Sequence, residues 1–158
     1  MKKVLRISAI LALAAFAACN TITQPQQSTP GGFNVDFMAS DGSVFPFDAT
    51  NAAAYSDGSN YTVVATANSA NITLSGIPIS SSVPYTVTST QNSTLKVQYH
   101  DPSNNLDYSS SVNGGSCSIS ISQTSPTLMG TFVTARLINS SAHDTITVTS
   151  ATFNAVLK

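Results

Sequence analysis

The sequence predicts an all-β domain that begins at Phe33, and three observations support this prediction. Apolar residues alternate with Ser, Thr or Asn over short runs, which is typical of strands with one buried face and one face in water. Ser, Thr and Asn number 25, 19 and 12 among the 158 residues, and β-branched Thr suits a pleated, half-buried surface. No convincing helical pattern follows residue 32, although Ala52-Ala53-Ala54 could form a single turn of helix.

The alternation assigns inward-facing residues to each strand in turn. The longest run extends from Thr127 to Ile138, and Val133, Ala135 and Leu137 share one face of it. Because side chains of a strand point to opposite faces in turn, this face is expected to be buried. The other residues expected to face inward are, in chain order, Ile72, Leu74, Tyr85, Val87, Leu95, Val97, Tyr99, Ile146, Val148, Phe153, Ala155 and Leu157.

Turn signals separate these runs and indicate the architecture. Asp41-Gly42 and Asp57-Gly58 are typical of two-residue hairpin turns, in which both positions need a positive φ. Residues 101–105 and Asn113-Gly114-Gly115 mark further loops. Short connections between about nine or ten strands predict an antiparallel meander. Such a sheet must close or stack on itself to bury its apolar face, and we expect a barrel rather than a β-sandwich.

The first 18 residues have the pattern of a signal peptide. Residues 1–6 carry three cations, and the twelve residues of 7–18 are apolar except for Ser8. That length suits a signal peptide and is shorter than the roughly 20 residues that a membrane-spanning helix needs. The run ends in Ala17-Ala18-Cys19, which resembles the lipobox of bacterial lipoproteins. The resemblance implies cleavage before Cys19 and acylation of its thiol; the alternative is an ordinary secretory signal peptide.

A polar segment separates this leader from the predicted domain. Residues 20–32 contain one large apolar side chain, Ile22, and cannot bury enough surface to offset the entropy of ordering. We therefore predict three parts: a lipoprotein signal peptide (1–18), a lipidated cysteine with a flexible tether (19–32) and a single all-β domain (33–158).

Composition excludes several classes of function. After residue 18 the chain has three cations, Lys96, Arg136 and Lys158, against seven Asp, which makes its formal charge −4. Nucleic-acid binding needs clustered Lys or Arg, so no nucleic-acid partner is expected. The sequence has no dinucleotide or phosphate-loop fingerprint, no Cys/His ligand spacing and no calcium loop. We therefore expect neither a cofactor nor a metal.

These features together resemble a broad group of small bacterial lipoproteins that are common in Bacteroidota. The resemblance depends on the lipobox, the polar spacer, Phe33 and Phe37 before an Asp-Gly turn, and a terminal hairpin that runs from Gly130-Thr131-Phe132 to Phe153. It implies a calycin-like or lipocalin-like barrel without an established activity. By the sorting rule of enterobacterial lipoproteins, Asn20 in place of Asp favours the outer membrane.

The residues that could carry catalysis are few. The sequence has two His residues, His100 and His143, and an Asp follows each of them. Either His could act as a base that the carboxylate of its neighbour, Asp101 or Asp144, orients. The alternative is that both pairs begin polar loops, where Asp is favoured. The chain has no Glu and no Gly-x-Ser-x-Gly nucleophile elbow. We expect no enzyme; an envelope hydrolase is the distant alternative.

Two sets of residues could carry binding. The aromatic residues Tyr61, Tyr85, Tyr99 and Phe132 are the candidates for lining an apolar cavity inside a barrel, although we expect such aromatic residues to fill the barrel as its core instead. The second set is the hydroxyl ladders of the outer face, which could meet carbohydrate, another surface or ice, or simply face water. Two such ladders are Ser118, Ser120 and Ser122, and Thr145, Thr147 and Thr149.

The second cysteine, Cys117, shares a strand face with Ile119 and Ile121. A buried, inert thiol is therefore expected, and a disulfide with Cys19 in a protein without a lipid is the alternative. The expected function is a structural or interaction lipoprotein of the cell envelope, with the membrane as one partner and an envelope protein as the candidate for another. The alternative is a lipocalin-like carrier of a small apolar ligand.

Overall fold

The computed structural model describes residues 31–89 and 94–158, and this part of the chain forms eleven β-strands and no helix. The prediction of an all-β domain is confirmed. Within these two ranges there is no helix long and apolar enough to cross a membrane. The strands are β1 (Gly32–Met38), β2 (Val44–Ala49), β3 (Ala52–Ser56), β4 (Asn60–Ala67), β5 (Ala70–Pro78), β6 (Tyr85–Ser89), β7 (Lys96–Asp101), β8 (Leu106–Ser109), β9 (Ser116–Gln123), β10 (Thr127–Asn139) and β11 (Asp144–Leu157).

The first described residues already belong to the sheet. The predicted signal peptide and Cys19 lie outside the described residues, as does the tether up to residue 30. Gly32 is already part of β1, and the Gly31 N–H donates to the carbonyl of Asn154 at 2.6 Å. The three alanines that could have formed a helical turn lie in β3, where Ala52 and Ala54 are buried.

Hydrogen bonds join all eleven strands into one sheet that closes on itself. The strand order is β2-β1-β11-β3-β4-β5-β7-β8-β10-β9-β6, and β10 also pairs with β11. The β10–β11 pair closes a ring of seven strands, β11-β3-β4-β5-β7-β8-β10, which we call the seven-strand ring. The hairpin β1–β2 extends from β11, and the pair β9–β6 extends from β10.

The order differs from the predicted meander of nine or ten antiparallel strands. The first strand pairs with the last, β6 pairs with β9, and β11 is parallel to β3 at Val156 and Leu157. Alternation along a strand shows which face is buried but carries no information about the neighbouring strand, so the sequence pattern missed these pairings.

A β-bulge in β10 changes which residues face inward. The register with β9 shifts between Phe132 and Thr134, so Val133 is an extra residue on β10. Because one inserted residue flips the side-chain alternation, Val133 points outward and is 58% exposed, while Ala135 and Leu137 are buried. The prediction that Val133 shares their buried face is therefore wrong.

The two Asp-Gly turns also differ from the predicted geometry. Gly42 and Gly58 have φ of +84° and +89°, whereas neither Asp has a positive φ. Instead, Asp41 Oδ1 accepts the backbone N–H of Ser43 at 2.9 Å, and Asp57 Oδ1 accepts that of Ser59 at 2.8 Å. Asp therefore stabilises each loop by bonding the backbone two residues ahead.

The hairpin with two positive φ values is the one between β4 and β5. There Asn68 and Ser69 have φ of 49° and 69°. Asn and Ser are short polar residues, and Asn in particular tolerates this left-handed region.

Aromatic side chains fill the centre of the domain. Phe33 of β1 stacks on Phe153 of β11 with ring centroids 5.5 Å apart and meets Phe47 of β2 edge-on at 6.3 Å. Phe37 of β1 lies 4.6 Å from Tyr99 of β7, which connects the β1–β2 hairpin with the seven-strand ring across the interior. Such pairs contribute about 0.5–1.5 kcal/mol each beyond the area they bury.

Candidate functional site

Two of the four predicted ligand-lining residues belong to the aromatic core. Tyr99 is 6% exposed, and its ring centroid lies 6.1 Å from Phe47 and 6.3 Å from Tyr108. Phe132 is half-buried and meets Phe33 at 6.1 Å. Both rings therefore contact other core aromatics and are linked through Phe33 and Phe47.

The other two predicted residues are Tyr61 on β4 and Tyr85, the first residue of β6. They lie close enough to interact electrostatically. Both are half-buried, and the Tyr85 hydroxyl donates to the carbonyl of Pro78 at 2.6 Å. Burial, and secondly the neighbouring Tyr61, raise the pKa of Tyr85. The hydrogen bond from Tyr85 to Pro78 connects β6 with the end of β5, two strands that do not share a ladder.

The histidine–carboxylate pair involves a different Asp from the one predicted. His100 Nδ1 lies 2.9 Å from Asp107 Oδ1 on the neighbouring strand β8, and the two side chains are 34% and 86% exposed. Asp101 instead accepts the Ser103 N–H and the Asn104 amide, both at 2.9 Å, as a loop residue. Across residues 31–89 and 94–158, no Ser or Cys side chain is hydrogen-bonded to His100 or Asp107.

The second predicted pair, His143 and Asp144, is also divided by the structure. His143 is exposed in a turn with φ of 54°. Asp144 Oδ1 accepts the Ser40 hydroxyl at 2.8 Å and the Thr145 N–H at 2.7 Å, and Asp144 Oδ2 accepts the Tyr108 hydroxyl at 2.9 Å. These bonds tie the β1–β2 loop and β8 to the start of β11.

The Asp144 network shifts two pKa values. The Ser40 hydroxyl, followed by the Thr145 N–H and the Tyr108 hydroxyl, lowers the pKa of Asp144. Burial first, and then Asp144, raises the pKa of Tyr108 to about 12. The described parts of the chain contain no group of three or more His, Cys or Asp that could hold a metal ion. The network itself consists of three hydrogen bonds to one carboxylate.

Polar side chains align in a row across six strands on the outer surface. Cross-strand partners follow one another from β6 through β9, β10, β11 and β1 to β2, and each residue directly faces the next. We call this surface the hydroxyl face. Its central row is Thr86, Ser120, Thr131, Thr152, Asn34 and Asp48.

Neutral hydrogen-bonding groups dominate the hydroxyl face. A second row pairs Thr88 with Ser118, whose hydroxyls are 3.2 Å apart, and Ser118 with Thr134. At the β2 end, the Asn34 amide donates to Asp48 at 2.9 Å. Such a surface can donate to and accept from a neutral polar partner without the cost of desolvating many charges.

The hydroxyl face is not a flat lattice. The bulge at Val133 interrupts β10. A second bulge lies on β11, because Asp36 pairs with Ser150 whereas the next residue, Phe37, pairs with Val148. This second bulge makes Thr149 the extra residue at the end of the predicted ladder Thr145, Thr147 and Thr149, where Thr149 is exposed. Bulges bend a strand and increase its twist, so the hydroxyl spacing is irregular, which argues against a match to a periodic lattice such as ice.

The sequence pattern found part of this face and missed the rest. The predicted ladder Ser118, Ser120 and Ser122 lies on β9, with Ser118 and Ser120 half-buried and Ser122 exposed. The neighbouring Thr86 and Thr131 could not be assigned to the same surface, because the pairing of β6 and β10 with β9 is not visible in the local alternation.

Comparison with known proteins identifies no relative. No family model, no curated protein and no solved structure matches this chain. The assignment to small bacterial lipoproteins therefore remains a prediction from residues 1–37 and from the terminal hairpin.

Proposed function

We propose that this protein is a non-enzymatic lipoprotein of the bacterial cell envelope, held in the outer membrane by acyl chains on Cys19. Its all-β domain acts as a structural or interaction module that meets an envelope partner. The observation that carries the interaction role is the hydroxyl face, because one continuous row of polar side chains crosses six strands of the described domain.

The anchor is supported by the sequence alone. A cationic start, twelve largely apolar residues and Ala17-Ala18-Cys19 form the pattern on which lipoprotein processing acts. Each buried methylene contributes about 0.8 kcal/mol, and one acyl chain holds a protein only marginally. The two or three chains of a bacterial lipoprotein would hold this domain stably at the membrane.

We further propose that the seven-strand ring is a small calycin-like barrel with β1–β2 and β9–β6 as extensions. The pairing of β10 with both β8 and β11 supports this proposal, since it returns the ladder to its starting strand. A closed ring has no terminal strand, and the two ends of the strand order, β2 and β6, lie on the extensions.

The packing of the interior favours an interaction module over a carrier. Phe33, Phe37, Phe153 and the aliphatic residues beside them are almost fully buried against one another. A carrier needs a cavity of about 300 Å³ or more for a small apolar ligand. Native mass spectrometry of the purified protein tests this point: a co-purified lipid would favour the carrier, and the mass of the unliganded protein supports the module.

The mass of the mature protein tests the anchor. We expect a chain that begins at Cys19 and carries two or three acyl chains, and we expect the Cys19→Ala variant to lose this mass and to leave the membrane fraction. The matched control is Cys117→Ala, which keeps its acyl chains because Cys117 is buried in the domain. A mature chain that begins elsewhere, or that contains a Cys19–Cys117 disulfide, contradicts the proposal.

A photo-cross-linking residue tests the interaction role in cells. Thr131 is exposed at the centre of the hydroxyl face, and Val64 is exposed on β4 of the seven-strand ring. We expect a discrete adduct when the cross-linker replaces Thr131 and none when it replaces Val64. Equal labelling from both positions contradicts a specific role of the hydroxyl face.

A further inference from the structure

The two edges of the sheet differ in how they resist pairing with another strand. β2 lies at one end of the strand order and β6 at the other. β2 carries Pro46 at its centre and Asp48 near its end, and both are exposed. Proline cannot donate to a ladder, and charge repels a neighbouring strand, so β2 has two of the devices by which proteins protect an edge.

β6 has neither device. Its sequence is Tyr85-Thr86-Val87-Thr88-Ser89, without charge and without proline. Within residues 31–89 and 94–158 it pairs only with β9, so alternate N–H and C=O groups along its other edge have no ladder partner. Val83, two residues before the strand, is 42% exposed, and the exposed Pro84 directly precedes the strand without being part of it.

The sequence of β6 is suited to pairing with itself. In an antiparallel pair centred on Val87, Thr86 of one copy lies opposite Thr88 of the other, and Val87 lies opposite Val87. Cross-strand Thr pairs are favourable, and no like charges meet in this register. A partner with charges on its pairing strand would meet no opposite charge on this edge, whereas a second copy is neutral at every position.

We infer that the β6 edge is a dimerisation surface, at which two copies of this protein pair antiparallel about Val87 and join their sheets. The contact is isologous, so it uses both β6 edges and leaves the protected β2 edges as the two ends of the joined strand order. Assembly therefore stops at the dimer. The inference does not depend on the proposed anchor or on an envelope partner, since it needs only the domain.

A charge-swap pair of variants tests the register. In the T86K/T88K variant, the lysine at position 86 of one copy lies opposite the lysine at position 88 of the other, so two ammonium groups face each other. Repulsion at two symmetric positions should then raise the dimer dissociation constant about tenfold or more. In the T86K/T88D variant, an ammonium group faces a carboxylate at the same two places, and the dissociation constant should return to within about threefold of the wild-type value. The matched control is V64K/T66K on β4, whose two edges are both paired.

The measurement is native mass spectrometry of the purified full chain in detergent micelles over a range of protein concentrations. Circular dichroism verifies that each variant keeps its strands. We expect a monomer–dimer equilibrium for the wild type and for V64K/T66K. A monomeric wild type, a T86K/T88K variant that dimerises as the wild type does, or a T86K/T88D variant as weak as T86K/T88K overturns the inference.

A disulfide provides a second measurement if the charged variants do not fold. Directly opposite residues of an antiparallel pair have Cα atoms about 4.5–5.5 Å apart, which is within the reach of a disulfide. We expect Val87→Cys to form a cross-linked dimer on mild oxidation and Asp48→Cys on the β2 edge not to do so. Equal cross-linking of the two variants, or none at Val87→Cys, contradicts pairing at β6. A loss of membrane anchoring leaves all of these outcomes unchanged, so the two proposals fail separately.

Discussion

Two glycines with positive φ, Gly76 and Gly58, differ in how closely other backbone atoms approach them. Gly76 in β5 has φ of +72°, and its Cα faces the backbone carbonyl of Thr94. A Cβ at this position would collide with that carbonyl and would lie 2.9 Å from the Leu95 N. By contrast, Gly58 has φ of +89° but no heavy atom within 4 Å of a Cβ.

The comparison of these two glycines gives the first prediction. Gly76→Ala should lower the free energy of unfolding by about 3 kcal/mol or more, because backbone strain and overpacking act together. Gly58→Ala should cost only about 1 kcal/mol, from backbone strain alone. Denaturant unfolding of both variants measures the difference, and equal losses contradict the close approach to Thr94.

Tyr108 gives a prediction for alkaline pH. Its pKa is raised to about 12 in the folded protein against an ordinary value near 10, mainly by burial and then by Asp144. A raised folded pKa means that the stabilising contribution is complete below about pH 10 and is lost as the pH rises toward about 12.

The measurement is the free energy of unfolding between about pH 9 and pH 12. We expect it to fall over this range in the wild type and to fall less in Tyr108→Phe, which has no phenol to ionise. Part of the decrease should persist in the variant, because the pKa values of Tyr85 and Tyr99 are also raised by burial. Identical slopes for the two proteins contradict a special role of Tyr108.

At the scale of single elements, the bulges decide which positions tolerate polar substitution. Val133 and Val97 are both strand residues with apolar neighbours two positions away in the sequence. The bulge places Val133 at the surface, whereas Val97 of β7 is fully buried. Alternation alone predicts that both are core residues.

Replacing each valine by threonine distinguishes these two environments. Val133→Thr should change the free energy of unfolding by less than about 0.5 kcal/mol, as expected for the surface. Val97→Thr should cost about 1–3 kcal/mol, because it buries a hydroxyl among apolar side chains. Thermal or denaturant unfolding checks both values, and a large loss at Val133 contradicts the bulge.

At the scale of the whole molecule, the seven-strand ring is closed by two short seams. β8 pairs with β10 only at Ser109 and Ile138, and β11 pairs with β3 only at Val156 and Leu157. The long pair β10–β11, in contrast, extends from Asp144 to Val156 along β11. Regions with few ladder hydrogen bonds open at a lower free energy than the centre of a sheet.

Hydrogen exchange should therefore detect the β3–β11 seam first. We expect the amides of residues 156–158 to exchange faster than those of residues 144–153 in the intact protein, although both segments belong to the same end of the chain. Mass spectrometry of peptides from the two segments makes the comparison. Equal protection would mean that the seam is as stable as the long ladder.

The sequence by itself determined the strand-forming character of the domain and most of its buried faces. Ile72, Leu74 and Tyr99 are buried as their alternation predicts, and the burial of Cys117, which raises its pKa to about 12, agrees with an inert thiol. These properties are local, because a period of two depends only on adjacent residues along the strand. The signal peptide and Cys19 are predictions of the same local kind.

Only the tertiary structure decided which strands are neighbours. It placed His100 beside Asp107 rather than Asp101, turned Val133 outward, and aligned Thr86, Ser120 and Thr131 on one surface. Each of these results depends on the register between paired strands, and one inserted residue changes it. Register depends on how the apolar faces of two strands match and on the turn or loop between them, and the alternation along a single strand does not show which residue of the neighbour it will face.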